Sequence, residues 1–227
     1  MPRLPTLDAQ CMEIGWPLHH LQATYLGKKR WSGAGESNAP PEVVVAASIT
    51  ASGKFCCWCE GGSINLLLKA AALDTLAKRN LFADRTDAVC RYLEAQLTLL
   101  KEFEQEILAT IRTIPWQRLQ QNIAEIAANE SIHEYYPRVT RDFLLALAAT
   151  VGNEFIAKVA EVFFKKPYEY RAGWPDLTVI EDSGIHFIEV KTTDLLHASQ
   201  LRFAREIANP LGLKCSAVQL QPTQEEE

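Results

Sequence analysis

Three charged residues stand inside a stretch that otherwise has the pattern of an apolar β-hairpin. They are Asp176, Glu189 and Lys191, set among β-branched and apolar residues. Side chains alternate along a strand, so Glu189 and Lys191 share one face. A symmetric turn through residues 181–184 would place Asp176 opposite Glu189, and directly opposed side chains lie about 4.5–5.5 Å apart at Cβ. The spacing therefore predicts two carboxylates and one ammonium group in a single small volume.

Two carboxylates at that distance repel each other unless a cation lies between them. A hard divalent ion is the natural candidate, because Mg²⁺ binds through one or two carboxylates together with phosphate oxygens of a substrate. The hairpin therefore points to metal-assisted chemistry on a phosphate. A bulge at Gly184 would shift the register by one residue and weaken this pairing. On spacing alone, a solvated hairpin with three incidental charges is an equal alternative.

The elements around the hairpin can be predicted from periodicity and from capping residues. A helix begins at Pro41 and Glu42 and ends at Ala51, and residues 55–59 have the pattern of a strand. A helix over about 195–208 and a strand over 214–220 follow the hairpin. Between the first strand and the hairpin the sequence predicts only helices, at 64–76, from Asp84 or Thr86 in one run to Ile114, and at 116–128, 138–150 and 153–164.

Without the helical block, the predicted order is helix, strand, strand, strand, helix, strand. This αβββαβ order is the core of the restriction-endonuclease-like α/β fold, with a large all-helical insertion between the first and second core strands. We expect an N-terminal arm or linker at 1–40, one nuclease-like domain at 41–220 with its insertion at about 63–170, and a disordered acidic tail at 221–227.

The hairpin motif resembles a known family of nucleases. Pro175-Asp176, a strand, and then Glu189-Val190-Lys191 resembles the PD-(D/E)xK signature. Gly173-Trp174-Pro175-Asp176-Leu177 before it and Ser199-Gln200 after it are similar to the VRR-NUC family within that superfamily. The segment from Glu60 through Asp74 resembles the Fanconi-associated branch, although Ala72-Leu73-Asp74 lacks the Trp found there. The resemblance covers residues 42–220.

The resemblance implies a role for each matching residue. Glu60, Asp176, Glu189 and the carbonyl of Val190 would hold Mg²⁺ or Mn²⁺, and Lys191 would act on the nucleophile. Ser199 and Gln200 would orient the lysine or touch a phosphate, and a plain surface amide is an equal alternative for Gln200. Glu60 could instead be a helix-entry carboxylate. The rival third ligands, Glu154 and Glu161, rank lower.

Composition sets the outer limits of these predictions. The chain has 227 residues, 48% hydrophobic and 22% charged, and no apolar run approaches the length of a membrane span. Without an apolar signal region near the N-terminus, we expect an intracellular protein. Six cysteines then predict free thiols. A zinc site at Cys56, Cys57 and Cys59 is less favoured than buried strand cysteines, because no second ligand pair has zinc-finger spacing.

The net charge of −5 argues mildly against a broad nucleic-acid surface, although local basic clusters occur at 28–30 and at Lys165, Lys166 and Arg171. The hairpin chemistry and the family resemblance together predict a metal-dependent, structure-selective DNA endonuclease. The resemblance to family members with a helical insertion implies a monomer that cuts branched, flap-type DNA. The DNA-binding segments of the relative have no counterpart in these residues, which suggests a protein partner that supplies them. A non-cleaving nucleic-acid-binding module and an RNA-directed nuclease remain alternatives.

Overall fold

The computed structural model describes residues 6–80 and 84–223, which form two compact units. One unit consists of the chain up to Glu60 together with the chain from Gly173 onward. It contains the β-sheet and is called the sheet unit below. The other unit is Gly61–Ala172 and is called the helical unit. The mixed α/β class predicted from the sequence is confirmed.

Elements are numbered in chain order. The first stretch contains α1 (Leu7–Ile14), β1 (Leu18–Gly27), β2 (Arg30–Gly33), β3 (Glu36–Ala39), α2 (Pro41–Ala51) and β4 (Phe55–Trp58). The helical unit contains α3 (Gly62–Lys78), α4 (Arg85–Cys90), α5 (Leu93–Leu99), α6 (Glu104–Thr113), α7 (Trp116–Ala127), α8 (Glu130–Tyr135), α9 (Arg141–Phe163) and α10 (Pro167–Tyr170). The last stretch contains β5 (Leu177–Glu181), β6 (Gly184–Lys191), α11 (Ala198–Phe203), α12 (Asn209–Leu211) and β7 (Lys214–Pro222).

The described strands form one sheet in the order β3-β2-β1-β7-β6-β5-β4. Strands β6, β7 and β1 run parallel to one another, and the outer strands are antiparallel. Within the hairpin, Ile180 pairs with Ile185 and Thr178 pairs with Phe187. The symmetric register predicted from the sequence is thus confirmed, and Gly184 does not shift it.

The two faces of the sheet differ in what covers them. One face packs against α2 in an apolar core that includes Val44 of the helix and Ala23, Trp31, Val179 and Val190 of the strands. Pro41 suits the first turn of α2, because it has no N–H to leave unsatisfied there. Alternation along β6 sends Phe187, Glu189 and Lys191 to the opposite face. We call that face the site face.

An aromatic cluster covers part of the site face. Phe187 of β6 meets Trp174 at 5.4 Å between ring centroids, and Trp174 meets Phe203 of α11 at 4.6 Å. Trp16, just after α1, lies 6.2 Å from Phe203. These rings bury one end of β6 and fix α11 against it. The charged residues Glu189 and Lys191 follow immediately along the same strand.

The predicted N-terminal arm is wrong for most of its length. Residues 18–39 form β1, β2 and β3, which extend the sheet beyond β7. Trp31, which lies in the predicted arm, is buried at 4% exposure in the α2 core. Gly and Ser composition favours a linker here, but backbone pairing with β1 decides the structure. At the other end, Gln221 and Pro222 of the predicted tail belong to β7 and Thr223 donates a backbone hydrogen bond to Ala23, whereas 224–227 lie outside the described residues.

The helical unit packs around α3, which contacts α6, α7 and α9. Helix α3 begins after the left-handed Gly61 and buries Ser63 within its first turn. The single helix predicted from Asp84 to Ile114 is wrong. Asp84 does cap α4, but the chain turns extended at Tyr92 and is broken again by a 3-10 turn at Lys101–Phe103. The apolar residues still recur at helical spacing, but they lie on three separate helices, α4, α5 and α6, that pack around α3.

Helix α9 alone among the described helices has the length and apolarity that could cross a membrane. It is broken at Gly152, whose φ of 71° and ψ of 168° are not helical. Ten of its residues are buried, among them Phe143, Leu147 and Ala160, and it packs on α3 and α6. Its apolar face therefore belongs to the core of the helical unit.

Candidate active site

The hairpin brings Asp176, Glu189 and Lys191 together at one end of the sheet. Asp176 directly precedes β5, and its Oδ2 accepts a hydrogen bond of 2.8 Å from the backbone N–H of Val190. Lys191 Nζ lies 3.0 Å from Glu189 Oε1. Glu189 is 1% exposed and Lys191 is 3% exposed. Glu189 and Lys191 therefore lie in the protein interior, where a charged group is destabilising unless it is paired.

Gln200 ties α11 to this set. Its Nε2 donates a hydrogen bond of 2.5 Å to Glu189 Oε1, and its Oε1 accepts one of 2.8 Å from the backbone N–H of His197. His197 is the N-terminal capping residue of α11. The amide therefore fixes the carboxylate of Glu189 to the start of a helix, which is a more specific role than that of a surface amide.

Burial disturbs the protonation of both carboxylates, and the charge of Glu189 adds to the shift at Asp176. Burial and the charge of Glu189 raise the pKa of Asp176 to about 9, although the Val190 N–H opposes the shift. Burial also raises the pKa of Glu189, against the opposing effects of Lys191, Asp176 and Gln200. Burial alone would lower the pKa of Lys191, but the carboxylate of Glu189 outweighs it and the pKa is raised. Lys191 is therefore a cation at neutral pH.

Glu60 lies next to the set but is not part of it. Its backbone N–H donates to the carbonyl oxygen of Asp176 at 3.1 Å, as does that of Cys59 at 2.9 Å. Glu60 has a φ of 46°, in the left-handed region that non-glycine residues seldom adopt, and its side chain is exposed. The end of β4 is thus fastened to Asp176 by its backbone, while the Glu60 carboxylate faces solvent.

Two further carboxylates border the site, and sequence reasoning gave them no site role. Burial raises the pKa of Glu42, and the charges of Glu60 and Asp194 raise it further. Glu42 in turn contributes to the raised pKa of Asp176. Asp194 Oδ2 lies 3.5 Å from Lys191 Nζ. The sequence does show Glu42 in the first turn of α2, directly after two prolines. That position by itself indicates only a favourable interaction with the helix dipole, not a place at the site.

Ser199 acts through its backbone in this structure. Gly173 has a φ of +92°, and a Cβ added there would lie 2.1 Å from the carbonyl oxygen of Ser199. Only glycine allows this approach of α11 to the strand that follows Gly173. The Gly-x-Pro-Asp part of the motif therefore positions α11, and with it Gln200, beside Glu189.

The rival carboxylates and the cysteines have structural roles. Glu154 and Glu161 both pair with Arg112 inside the helical unit. All six cysteines are free thiols. Cys57 is buried, Cys56 is half-buried, and burial raises the pKa of Cys56 to about 12. Such thiols behave as small apolar residues of the strand rather than as thiolate ligands.

The carboxylates of Asp176 and Glu189 fit a divalent cation. Glu189 Oε2 is buried without a hydrogen-bond partner among the described residues, and the adjacent Asp176 is kept from ionising by burial and by Glu189. A cation between them would satisfy the orphaned oxygen and offset the repulsion. Within 6–80 and 84–223, however, no set of three His, Cys, Asp or Glu side chains is arranged to hold a metal. The fit thus extends to two carboxylates.

Comparison with solved structures shows the fold of the chain. A crystal structure of paFAN1 bound to 2nt 5′-flap DNA with gap matches all of this chain at a TM-score of 0.64 and 14% identity. A second, of paFAN1 bound to 1nt 5′ flap DNA with gap, matches 92% of this chain at a TM-score of 0.63 and 15% identity. The chain spans about two-fifths of those structures, 40% and 38%. At this identity the likeness establishes the fold alone, which this chain shares with the matched part of paFAN1.

No protein-family model matches the sequence, and no curated protein matches it. The support for a site therefore comes from the geometry of the sheet unit.

Proposed function

We propose that this protein is a metal-dependent, structure-selective nuclease of the PD-(D/E)xK type that hydrolyses phosphodiester bonds at branched, flap-type DNA. The observation that carries the proposal is the buried pair of Glu189 and Lys191 with the half-buried Asp176 beside it, the Glu189 Oε2 atom being left without a partner among the described residues. The matched paFAN1 structures contain flap DNA, which supports this substrate class. The order α2, β4, β5, β6, α11, β7 also supports the restriction-endonuclease-like core that we proposed from the sequence.

Asp176 and Glu189 would hold the cation, and we keep Glu60 and the Val190 carbonyl as proposed further ligands. When bound, Mg²⁺ or Mn²⁺ would lower the pKa of a water molecule and offset charge on the scissile phosphate. Lys191, a cation in the absence of metal, would stabilise the negative charge that develops on that phosphate. Gln200 would keep the Glu189 carboxylate in place while the cation and the substrate bind.

The test is cleavage of labelled 5′-flap, 3′-flap, four-way-junction, duplex and single-stranded DNA, with an RNA control. Each substrate is incubated with Mg²⁺, Mn²⁺ or EDTA, using wild type and Lys191→Ala. Lys54→Ala is the matched control, because Lys54 lies in the same unit but pairs with Glu181 at the turn of the hairpin. We expect metal-dependent cutting of flaps that Lys191→Ala loses by at least about a hundredfold and Lys54→Ala retains.

A nucleic-acid-binding module that cuts nothing is the second candidate. Lys191 and Gln200 already contact Glu189 Oε1, and the exposed Glu60 carboxylate lies apart from Asp176 and Glu189. A protein of this fold that binds nucleic acid without cutting it could have the same arrangement. Binding without cutting on every substrate and metal would favour this candidate. Cutting of RNA in preference to DNA would instead move the proposal to an RNA-directed nuclease.

A further inference from the structure

The exposed part of the site face continues from Lys191 across the parallel strands as a row of polar side chains. Lys191 pairs in register with Gln219 of β7, and Gln219 pairs with His20 of β1. Next along these strands on the same face come Gln221 and Gln22, whose amide groups lie 3.1 Å apart. Lys191 ends β6, and Gln219 and Gln221 lie in the last part of β7, so these residues are at the carboxyl ends of two parallel strands, where ligands of such sheets commonly bind. His20 and Gln22 lie in the first half of β1, which continues past the ends of β6 and β7 to Gly27.

Beyond this row, β1 ends in a tight turn that carries three cations. Lys28 and Lys29 connect β1 to β2, and Arg30 begins β2. All three are exposed, and none forms an ion pair with a carboxylate of residues 6–80 or 84–223. We call Lys28, Lys29 and Arg30 the basic turn.

The conformation of the basic turn is unusual for its sequence. Lys28 has a φ of 51° and Lys29 a φ of 59°. Two consecutive residues with positive φ are the central pair of a type I′ hairpin turn, where Asn-Gly is strongly preferred. Residues with side chains are disfavoured in this region, so the two lysines hold a conformation that glycine would adopt more easily. Strained backbone of this kind points to a function of the side chains it presents.

We propose that the polar row and the basic turn form a binding track for the duplex arm of the substrate. Polar groups along the row would meet sugar and phosphate oxygens, and the basic turn would neutralise phosphates at its far end. This inference rests on the proposed nuclease function, because it places the duplex next to Lys191. The track also explains how a chain with a net charge of −5 could bind a polyanion, because the positive charge is concentrated at the basic turn.

The track has a defined length. Two strand spacings separate Lys191 from His20, and eight residues separate His20 from Lys28. At about 4.8 Å per strand spacing and about 3.3 Å per residue, the distance is roughly 25–30 Å. At about 3.4 Å per base pair, this corresponds to roughly seven to nine base pairs of duplex. A shorter arm would not reach the basic turn.

The test compares Lys28→Gln/Lys29→Gln with Lys54→Gln/Lys214→Gln. Both pairs remove two exposed lysines from the same unit, and the control lysines pair with Glu181 at the hairpin turn. Glutamine keeps the side-chain bulk and the strain of the turn, so the fold is retained. Affinity for flap DNA with duplex arms of fifteen or six base pairs is measured in EDTA at several salt concentrations.

We expect the basic-turn variant to weaken binding of the long-arm substrate by about fivefold or more, and to reduce the slope of log Kd against log salt concentration by up to about 1.8, two phosphates at about 0.9 each. The control should match wild type. The short arm should bind the two variants equally. Equal binding of both variants to the long arm, or an undiminished difference on the short arm, would overturn the track.

A second measurement tests which face carries the duplex. A benzophenone photocrosslinker is placed at Thr24 or at Tyr25, adjacent exposed residues of β1 that point to opposite faces. Crosslinks to DNA are expected from Thr24 on the site face and should be scarce from Tyr25; the reverse pattern refutes the track. If wild type cuts no substrate while Thr24 still crosslinks, the nuclease proposal fails and the track stands.

Discussion

At the scale of single residues, the site consists of ionisable groups whose charged forms are disfavoured by burial. Glu189 is buried and Asp176 is half-buried, the charge of Glu189 helps to keep Asp176 protonated, and Lys191 partly compensates Glu189. Replacing only one member of such a buried set leaves the others uncompensated, which is usually costly. A set of this kind contributes little to folding, and we propose that it serves to bind a cation.

Asp176→Asn tests this conflict directly. The amide keeps an oxygen that can accept from Val190 but carries no charge. The pKa of Asp176 is raised to about 9, so above pH 4 the folded state resists its ionisation and loses stability relative to the unfolded state. We expect the variant to raise the free energy of unfolding at pH 8 without metal, on the order of 1–3 kcal/mol, and to abolish cutting.

Urea unfolding of wild type and Asp176→Asn in EDTA at pH 4 and pH 8 measures this effect. The gain should be small at pH 4, where the carboxyl group is protonated in the folded state and still about half protonated in the unfolded chain. A variant less stable than wild type at pH 8 would show that the Asp176 charge stabilises the fold, and the raised pKa would then be wrong.

Gln200 is proposed as a positioning residue. Gln200→Leu removes the hydrogen bond to Glu189, and a bond to a charged group contributes about 1.5–3 kcal/mol. We expect kcat to fall by about tenfold to a hundredfold, the metal concentration for half-maximal activity to rise, and KM for DNA to change little. Gln10→Leu is the matched control, because the Gln10 amide bridges the backbone of Leu196 without touching Glu189.

Steady-state kinetics over a metal titration separates these effects for Gln200→Leu. An unchanged metal requirement would assign Gln200 to the helix surface, the alternative that the sequence left open.

At the scale of elements, glycine at one position decides how α11 meets β5. Gly173→Ala places a Cβ against the Ser199 carbonyl and also imposes a φ of +92° on alanine. Gly212→Ala imposes a similar φ of +64° in open space. Gly212→Ala should therefore cost about 1–2 kcal/mol, and Gly173→Ala about 3–5 kcal/mol once the contact is added.

Thermal unfolding of both glycine variants measures the difference, and cutting measures its consequence. Gly173→Ala should reduce cutting well below Gly212→Ala when both are assayed below their Tm, because α11 carries Gln200. Equal stabilities would mean that α11 can shift without cost.

At the scale of the whole molecule, opposite pKa shifts shape the pH dependence of stability. Hydrogen bonds from Arg118 and Arg85 lower the pKa of Asp74 in the helical unit to about 2, and ion pairs with Lys214 and Lys54 outweigh burial to lower that of Glu181 to about 2. These groups stabilise the fold above pH 4, and the contribution is lost as the pH falls toward 2. Asp176 acts in the opposite sense. The stability that its protonated form contributes to the fold is lost as the pH rises from 4 to 9.

We therefore expect the metal-free protein to be most stable near pH 5 and to lose stability toward pH 9. Adding Mg²⁺ should restore stability on the alkaline side, because a cation favours the ionised carboxylates of the folded state. Thermal unfolding from pH 4 to pH 9, with Mg²⁺ or EDTA, measures both the loss of stability toward pH 9 and its restoration by Mg²⁺. The Asp176→Asn variant should show a smaller alkaline loss, because Glu189 and Glu42 keep their raised pKa values, and a smaller Mg²⁺ gain.

Local signals in the sequence were enough to predict the hairpin and its register. Alternating apolar residues around a four-residue turn specify which positions face each other, so the opposition of Asp176 and Glu189 followed from counting. The start of α2 at Pro41 and the position of β4 were equally local, because they depend on capping and on short apolar runs. The same reasoning failed for residues 18–39, whose polar and glycine-rich strands form only because β1 pairs with β7, about two hundred residues away in the sequence.

What the sequence determined by itself is therefore the chemistry: a pair of carboxylates and a lysine on one hairpin, with a Gly-x-Pro-Asp entry and a Ser-Gln helix start. Only the tertiary structure decided that Glu42 and Asp194 border this set, that Glu60 is joined to it by its backbone, and that the row from Gln219 to the basic turn extends it. Those relations join residues far apart in the chain. They depend on strand order and on which face each helix covers, and neither is encoded in the spacing of neighbouring residues.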